Sequence, residues 1–360
     1  MNDISSLNKI IKVSIIIINY NGSKFLCECI DSVLNQSIDN FEIIIVDNAS
    51  TDNSLDLLNS YKDNRIRVFP QTVNLGFTGG NNTGYKYCSG KYIVLLNNDT
   101  VVEKTWLDNL VKIFENYPET GIVQSLVLTE GIPDKYYKKN GSINFLGHNI
   151  MEIFDIEKNG VGEIFQATGC SMMFEKKLID SFGFLFLNEY FAYAEDTFLC
   201  FRVKFCGLGI IHNAKSVVYH KGGATVKAVS SGLKSGLLAF YRERNRILNF
   251  LLFFSKGFIF KISPYLILNF FAKFIAGIFI KKYSSFSIIK AYLWIIKNKN
   301  LIKKNRKILQ EQYVKKENYV IGYLTCKLFN GNNIFGKFFN GISKIYCRII
   351  GIRTVEFIKH

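Results

Sequence analysis

Two carboxylates close apolar runs near the start of the chain. Asp47 ends FEIIIVD and Asp99 ends YIVLLNND, so each acid stands just beyond a stretch suited to burial. An acid in that place either serves a ligand site or caps the element that follows, which for Asp99 begins near Lys104. Two such acids at neighbouring run ends favour the site. A second acidic pair, Glu195-Asp196, heads a helical pattern packed through Phe198, Leu199, Phe201, Arg202 and Phe205, and a first helical turn favours acids through its dipole. His220 ends the run VVYH and precedes Lys-Gly-Gly, a place for a metal ligand, a phosphate contact or a structural imidazole. The stretch Asn74-Leu-Gly-Phe-Thr-Gly-Gly-Asn-Asn-Thr-Gly84 reads as a glycine-rich loop entering a helix over 81–88, where unpaired backbone N–H groups can meet phosphate. It matches neither GxGxxG nor the Walker pattern, which removes the main support for a dehydrogenase or a kinase. In Tyr241-Arg-Glu-Arg-Asn-Arg246, a helix puts Arg242 and Arg246 on one face and Arg244 on another. Trp106 and the other aromatics read as packing.

The elements that must position these residues alternate. Val13–Ile18 is a continuous β-branched run, as in a strand buried on both faces of a parallel sheet. Helical spacing follows over 24–36, then a strand over 41–46, a helix over 54–61, a strand over 66–69, the helix over 81–88 and a strand over 92–96. This βαβαβαβ order is a doubly wound layout, in which ligands sit off the carboxyl ends of the strands. Those ends read Asn19-Tyr20-Asn21-Gly22, Asp47-Asn48 and Asn97-Asn98-Asp99. A second part, 121–228, adds strands over 122–128, 167–174 and 210–219, a short helix after Ala194 and an insertion at 130–160. From 231 the pattern is helical and basic.

The 360 residues, 48% hydrophobic and 21% charged, exclude a disordered or collagen-like chain. The net charge of +16 is unevenly placed. Residues 1–230 hold 21 basic and 25 acidic side chains, whereas 231–360 hold 24 and 4. Basic residues interleaved with Phe, Ile and Leu fit an anionic bilayer surface better than a nucleic-acid groove, and no nucleic-acid motif is present. Within 262–280, eleven Ile, Leu and Phe contribute roughly −3 to −6 kcal/mol to insertion and Lys273 costs roughly +2.5 to +3.5. Helices lying in the interface are therefore expected, with Lys256, Lys261, Lys273, Lys281 and Lys282 reaching headgroups. The eight cysteines show no CxxC pair and read as reduced core thiols of a cytosolic protein, and the N-terminal run lacks the marks of a signal peptide.

Taken in order, VSIIIINYNG, FEIIIVDNASTDNS, NLGFTGGNN, YIVLLNNDT with Trp106-Leu107, GCSMMF, YAEDTFLCFRVKFCG and VVYHKGG resemble the inverting family-2 glycosyltransferases, with a rhamnosyltransferase-like flavour, over about 12–246. The resemblance implies an α/β GT-A fold over 10–230, and the basic, apolar pattern beyond it, which the resemblance does not cover, makes 231–360 a basic helical membrane-associating region. It implies that Asn19, Tyr20, Asp47, Asn48, Asn74, Gly76, Gly79, Asn81 and Asn98 bind the nucleotide. Asn97-Asn98-Asp99 stands where the family carries DxD, leaving Asp99 and His220 to hold Mg or Mn. Asp196 is implied as the catalytic base with Glu195 orienting the acceptor, and Arg244 as a diphosphate clamp. The implied reaction is inverting transfer from a nucleotide-sugar, dTDP-rhamnose or a UDP-sugar, to a lipid-linked saccharide at the cytoplasmic membrane face. The lost first Asp of DxD leaves a non-catalytic membrane-bound scaffold as the alternative, and basic nucleic-acid binding as a second.

Overall fold

The structure, a computed structural model, describes residues 12–129, 136–155, 160–221, 235–280, 284–330 and 333–358. Its first half runs β1 (Val13–Asn19), α1 (Ser23–Leu34), β2 (Phe41–Asp47), α2 (Ser54–Ser60), β3 (Ile66–Pro70), α3 (Gly76–Tyr85), β4 (Tyr92–Asn97), β5 (Thr100–Val102), α4 (Trp106–Asn116) and β6 (Thr120–Thr129). There follow β7 (Tyr136–Ile143), β8 (Asn149–Asp155), β9 (Val161–Glu163), β10 (Ser171–Glu175), α5 (Lys176–Phe182), α6 (Glu195–Phe205) and β11 (Gly209–His220). The main sheet has the order β3-β2-β1-β4-β10-β6-β11-β5, with β9 also on β11. Strands β1 to β4 are parallel, and β10 enters antiparallel between β4 and β6. β7 and β8 form a separate hairpin. The central strands are buried on both faces, as their unbroken Ile and Val runs require.

Two expected boundaries move. Helix α3 begins at Gly76, so most of the glycine-rich stretch is helix and not loop. Gly76, Gly80 and Gly84 recur every fourth residue and leave one face bare. A Cβ on Gly80 would stand 2.9 Å from Ile18 Cγ2 and one on Gly84 2.7 Å from Ile16 Cγ2. Close approach to β1 outweighs the roughly 1 kcal/mol that each glycine costs a helix. The strand expected over 167–174 starts only at Ser171. Before it, side chains take the backbone donors: Thr168 N donates to Gln124 Oε1 at 2.6 Å, and Ala167 N to Cys200 Sγ at 3.2 Å.

The C-terminal part is helical: α7 (Ser235–Phe253), α8 (Lys256–Phe279), α9 (Ser285–Lys297), α10 (Lys299–Gln310), α11 (Glu317–Ile321) and α12 (Ile334–Ile349). A single apolar cluster links Ile16 and Ile93 in the sheet to Phe250, Leu309 and Cys347 in these helices. Helix α8 is the one described helix long and apolar enough to cross a membrane, by length and composition, and 6% of its most apolar window is buried. The start at 10, the boundary at 230 and 231, Lys281, Lys282 and the glycines after Lys221 lie outside the described residues. All eight cysteines are unpaired, and six of them are buried.

Candidate active site

Strands β1, β2 and β4 stop at one level, because Asn19 pairs with Asp47 and Ile18 with Asn97 in the ladder. The chain leaves β1 for β2 on one side and β4 lies on the other, so the strand order reverses here and opens a crevice. A cleft of about 680 Å³ occupies it, lined by Tyr20, Asn48, Asn74, Gly76 and Asn98 of the expected binding residues. Gly22, Phe25, Phe77 and Phe191 complete its walls. Gly22 is obligatory, since a Cβ there would collide with the amides of Asn19 and Asn98.

Asn19 and Asp47 lie fully buried beneath that cleft. Asn19 Nδ2 donates to Asp47 Oδ1 at 2.8 Å, and Asn19 Oδ1 accepts from Asn98 Nδ2 at 2.8 Å. Asp47 also accepts from Ser50 N at 2.9 Å and Ser50 Oγ at 2.6 Å. These bonds tie three strand ends together, so both residues hold the floor on which Tyr20, Asn48 and Asn98 stand. Asn81 is buried and donates to the Phe77 carbonyl at 2.9 Å, and Gly79 faces Leu75 of its own helix. The start of α3 has little left for a phosphate. Gly76 N is taken by Asn74 Oδ1 at 2.8 Å and Thr78 N by the Phe191 carbonyl at 3.1 Å.

Asp99 follows β4 in a tight turn, and β11, pairing with β5, delivers His220 opposite Thr100. His220 Nε2 stands 3.1 Å from Asp99 Oδ1. Asp99 is 1% exposed, and neither carboxylate oxygen accepts a hydrogen bond. A buried carboxylate without donors is costly, and a cation shared with the imidazole would relieve it, so the residues fit a divalent ion. Among the described residues no third His, Cys, Asp or Glu joins them, so two side chains of this kind and outside oxygens would make up such a shell.

Glu195 and Asp196 open α6 in the state of neither a surface cap nor an ion pair. Asp196 Oδ1 accepts from Thr197 N at 2.6 Å, whereas Glu195 Oε2 is buried with no partner. Burial first, and then the Asp196 charge, push Glu195 up to about 8. Burial also raises Asp196, opposed by bonds from Thr197 and Gly169. Burial thus raises both acids, Glu195 to about 8, so near neutral pH the pair retains a proton.

The backbone before this pair is strained: Phe191, Tyr193 and Ala194 have φ of 60°, 72° and 61°. What holds it escaped sequence reasoning. Asn245 Nδ2 donates to the carbonyls of Tyr190, Ala192 and Tyr193 at 3.0, 2.9 and 2.7 Å, and Asn249 Nδ2 to that of Ala194 at 2.9 Å. Arg244 is 4% exposed, donates to the Glu189 and Tyr190 carbonyls and lies against Tyr241 and Trp294. Its guanidinium staples this segment, and Arg244, expected as a diphosphate clamp, is not among the residues that line the cleft. The available signal was the spacing of Asn245 and Asn249, one turn apart on one face of α7.

Residues 14–183 match the model of glycosyl transferase family 2. This chain carries a family-2 glycosyltransferase domain. Over 100 residues it is 35% identical to glycosyltransferase GlyG of Streptococcus pneumoniae serotype 4, covering 27% of this chain and 33% of GlyG. Over 123 residues it is 34% identical to UDP-Glc:alpha-D-GlcNAc-diphosphoundecaprenol beta-1,3-glucosyltransferase WfaP of Escherichia coli, covering 32% of this chain and 49% of WfaP. The chain thus spans about a third to a half of the length of these relatives. The crystal structure of GalNAc-T7 with UDP, GalNAc and Mn2+ superposes with a TM-score of 0.56 at 15% identity, covering 71% of this chain and 51% of that one. That likeness shows the fold, the α/β GT-A arrangement that the family resemblance implies.

Proposed function

We propose that this protein transfers a sugar from a nucleotide-sugar to a hydroxyl of a lipid-linked saccharide, with inversion, in surface glycan synthesis. The observation that carries it is the buried, donor-free Asp99 carboxylate facing His220 beside a cleft at the switch point of the sheet. Asp99 and His220 would hold Mg or Mn, and a divalent ion bound there would supply charge neutralisation for the leaving diphosphate. Tyr20, Asn48 and Asn98 line the space for the nucleoside, and Asn19 with Asp47 fixes their positions. The acceptor hydroxyl gives its proton to Asp196 as its oxygen bonds to the anomeric carbon and the bond to the diphosphate breaks. Glu195, protonated, donates a hydrogen bond that orients the acceptor. The name of WfaP supports a UDP-hexose ahead of dTDP-rhamnose as donor, and an acceptor on a lipid diphosphate.

The membrane supplies the acceptor from one side. Helix α8 exposes Phe260, Ile267, Leu268, Phe271, Ile275 and Ile278 along a single stripe, and α12 exposes Ile334, Phe338, Ile345 and Ile349. Their basic surroundings suit anionic lipids on the cytoplasmic face. Hydrolysis of a panel of nucleotide-sugars, each with Mn²⁺ and with Mg²⁺, tests the reading. One donor cleaved only with metal is expected; no cleavage and no thermal stabilisation by any of them would leave the inactive scaffold.

A further inference from the structure

Helix α7 has a second working face. While Asn245 and Asn249 hold the segment before the acidic pair, Ala239, Arg242, Glu243 and Arg246 recur at helical spacing and line a separate cavity of about 740 Å³ with His148, Lys273 and Ile288. Glu243 is buried and takes both Arg246 and Lys273, the latter at 2.6 Å from Oε2. One anion there meets a buried cation, Arg246, and a half-buried one, Lys273. Arg242 adds a third positive charge and forms no ion pair among the described residues; its guanidinium lies 4.5 Å from the ring centre of Tyr193. His148 Nε2 is buried without a hydrogen-bond partner, and burial together with Arg246 and Lys273 keeps the ring neutral. The cavity therefore offers an excess of positive charge, spare N–H groups on Lys273 and Arg242, and an unused imidazole nitrogen. Its ligand is an anion rich in acceptor oxygens.

Where the cavity lies narrows the anion further. Lys273 comes from α8, and the helix turns that flank it present Phe271, Ile275 and Ile278 to the outside. Arg242 leads the other way, to Tyr193, two residues before Glu195. Resting on the lipid-linked acceptor proposed above, we infer that this cavity binds the phosphate group that joins a membrane lipid to its saccharide and so sets the acceptor's saccharide against the Glu195-Asp196 pair. A chain tail would run along the apolar stripe of α8 while the phosphate enters between α7 and α8. Glu243 keeps Arg246 and Lys273 in place when the lipid is gone.

Binding of the full chain to phosphatidylcholine vesicles doped with a polyprenyl monophosphate, or with phosphatidylglycerol at matched surface charge, separates site recognition from general attraction. The wild type should prefer the monophosphate about tenfold, the worth of one charge-assisted hydrogen bond, and Arg242→Gln should abolish the preference. Lys273→Gln should do the same where it folds, and Arg242→Gln, altering an exposed side chain, keeps the test open where it does not. Equal binding to both vesicles, or a preference unchanged in Arg242→Gln, would overturn the site. Displacement of the wild type from monophosphate vesicles by equimolar inorganic phosphate would overturn the lipid as its ligand. Donor hydrolysis by the wild type is scored separately, so failure of the transferase reading leaves the vesicle result standing.

Discussion

At the scale of residues, unequal carboxylates are the main feature. Asp99 is buried with no donor, so Asp99→Asn should leave the metal-free protein no less stable and remove any Mn²⁺-dependent rise in Tm; a rise of unchanged size in Asp99→Asn would reject this ion site. Asp196→Asn keeps shape while removing the base, and kcat should fall at least ~10²-fold with donor affinity unchanged, as steady-state kinetics and equilibrium binding would report. Glu195 gives a pH signature. Its pKa rises from 4.5 unfolded to about 8 folded, so the folded state binds the extra proton between those values and loses stability as pH climbs through them. Relative to wild type, Glu195→Gln should therefore gain Tm between about pH 5 and about pH 9. A constant difference across that range would place the raised group elsewhere.

At the scale of elements, the segment 190–194 and helix α7 act together. Three left-handed residues cost free energy that the amides of Asn245 and Asn249 offset by taking four of the segment's carbonyls. Asn245→Ala would leave three of these without that donor, an expected loss of about 1–3 kcal/mol in urea unfolding. It should also open the 190–194 segment to limited proteolysis, and a variant as protected and as stable as wild type would show that the staple is idle. Helix α3 teaches a related lesson: its glycines read as loop because propensity was weighed without the sheet beneath it.

At the scale of the whole molecule, the excess of positive charge and the exposed apolar stripes both belong to the C-terminal helical part. Lys256 and Lys261 stand exposed as expected, but Lys273 turns inward to Glu243. Its charge is thereby met by Glu243, and the exposed stripe of α8 is more apolar than its sequence suggests. Phe271→Glu, on that stripe, should shift protein from the membrane to the soluble fraction with its unfolding midpoint unchanged. High salt or carbonate should release much of the wild type, as surface binding through basic side chains demands; complete resistance to both would favour a span.

The order of strands and helices, the polar strand ends and the two acidic sites were legible in the chain itself. Burial on both faces leaves unbroken Ile and Val runs, and a strand's carboxyl end must turn polar where it meets a ligand. Which of those polar residues reach the cleft was decided only in three dimensions. Asn19 and Asp47 are fully buried because their polar atoms bond to one another, to Ser50 and to Asn98, and Arg244 and Asn245 reach carbonyls some 50 residues away in sequence. Local spacing fixes a residue's face on its own element, whereas its partners depend on which other element packs against that face.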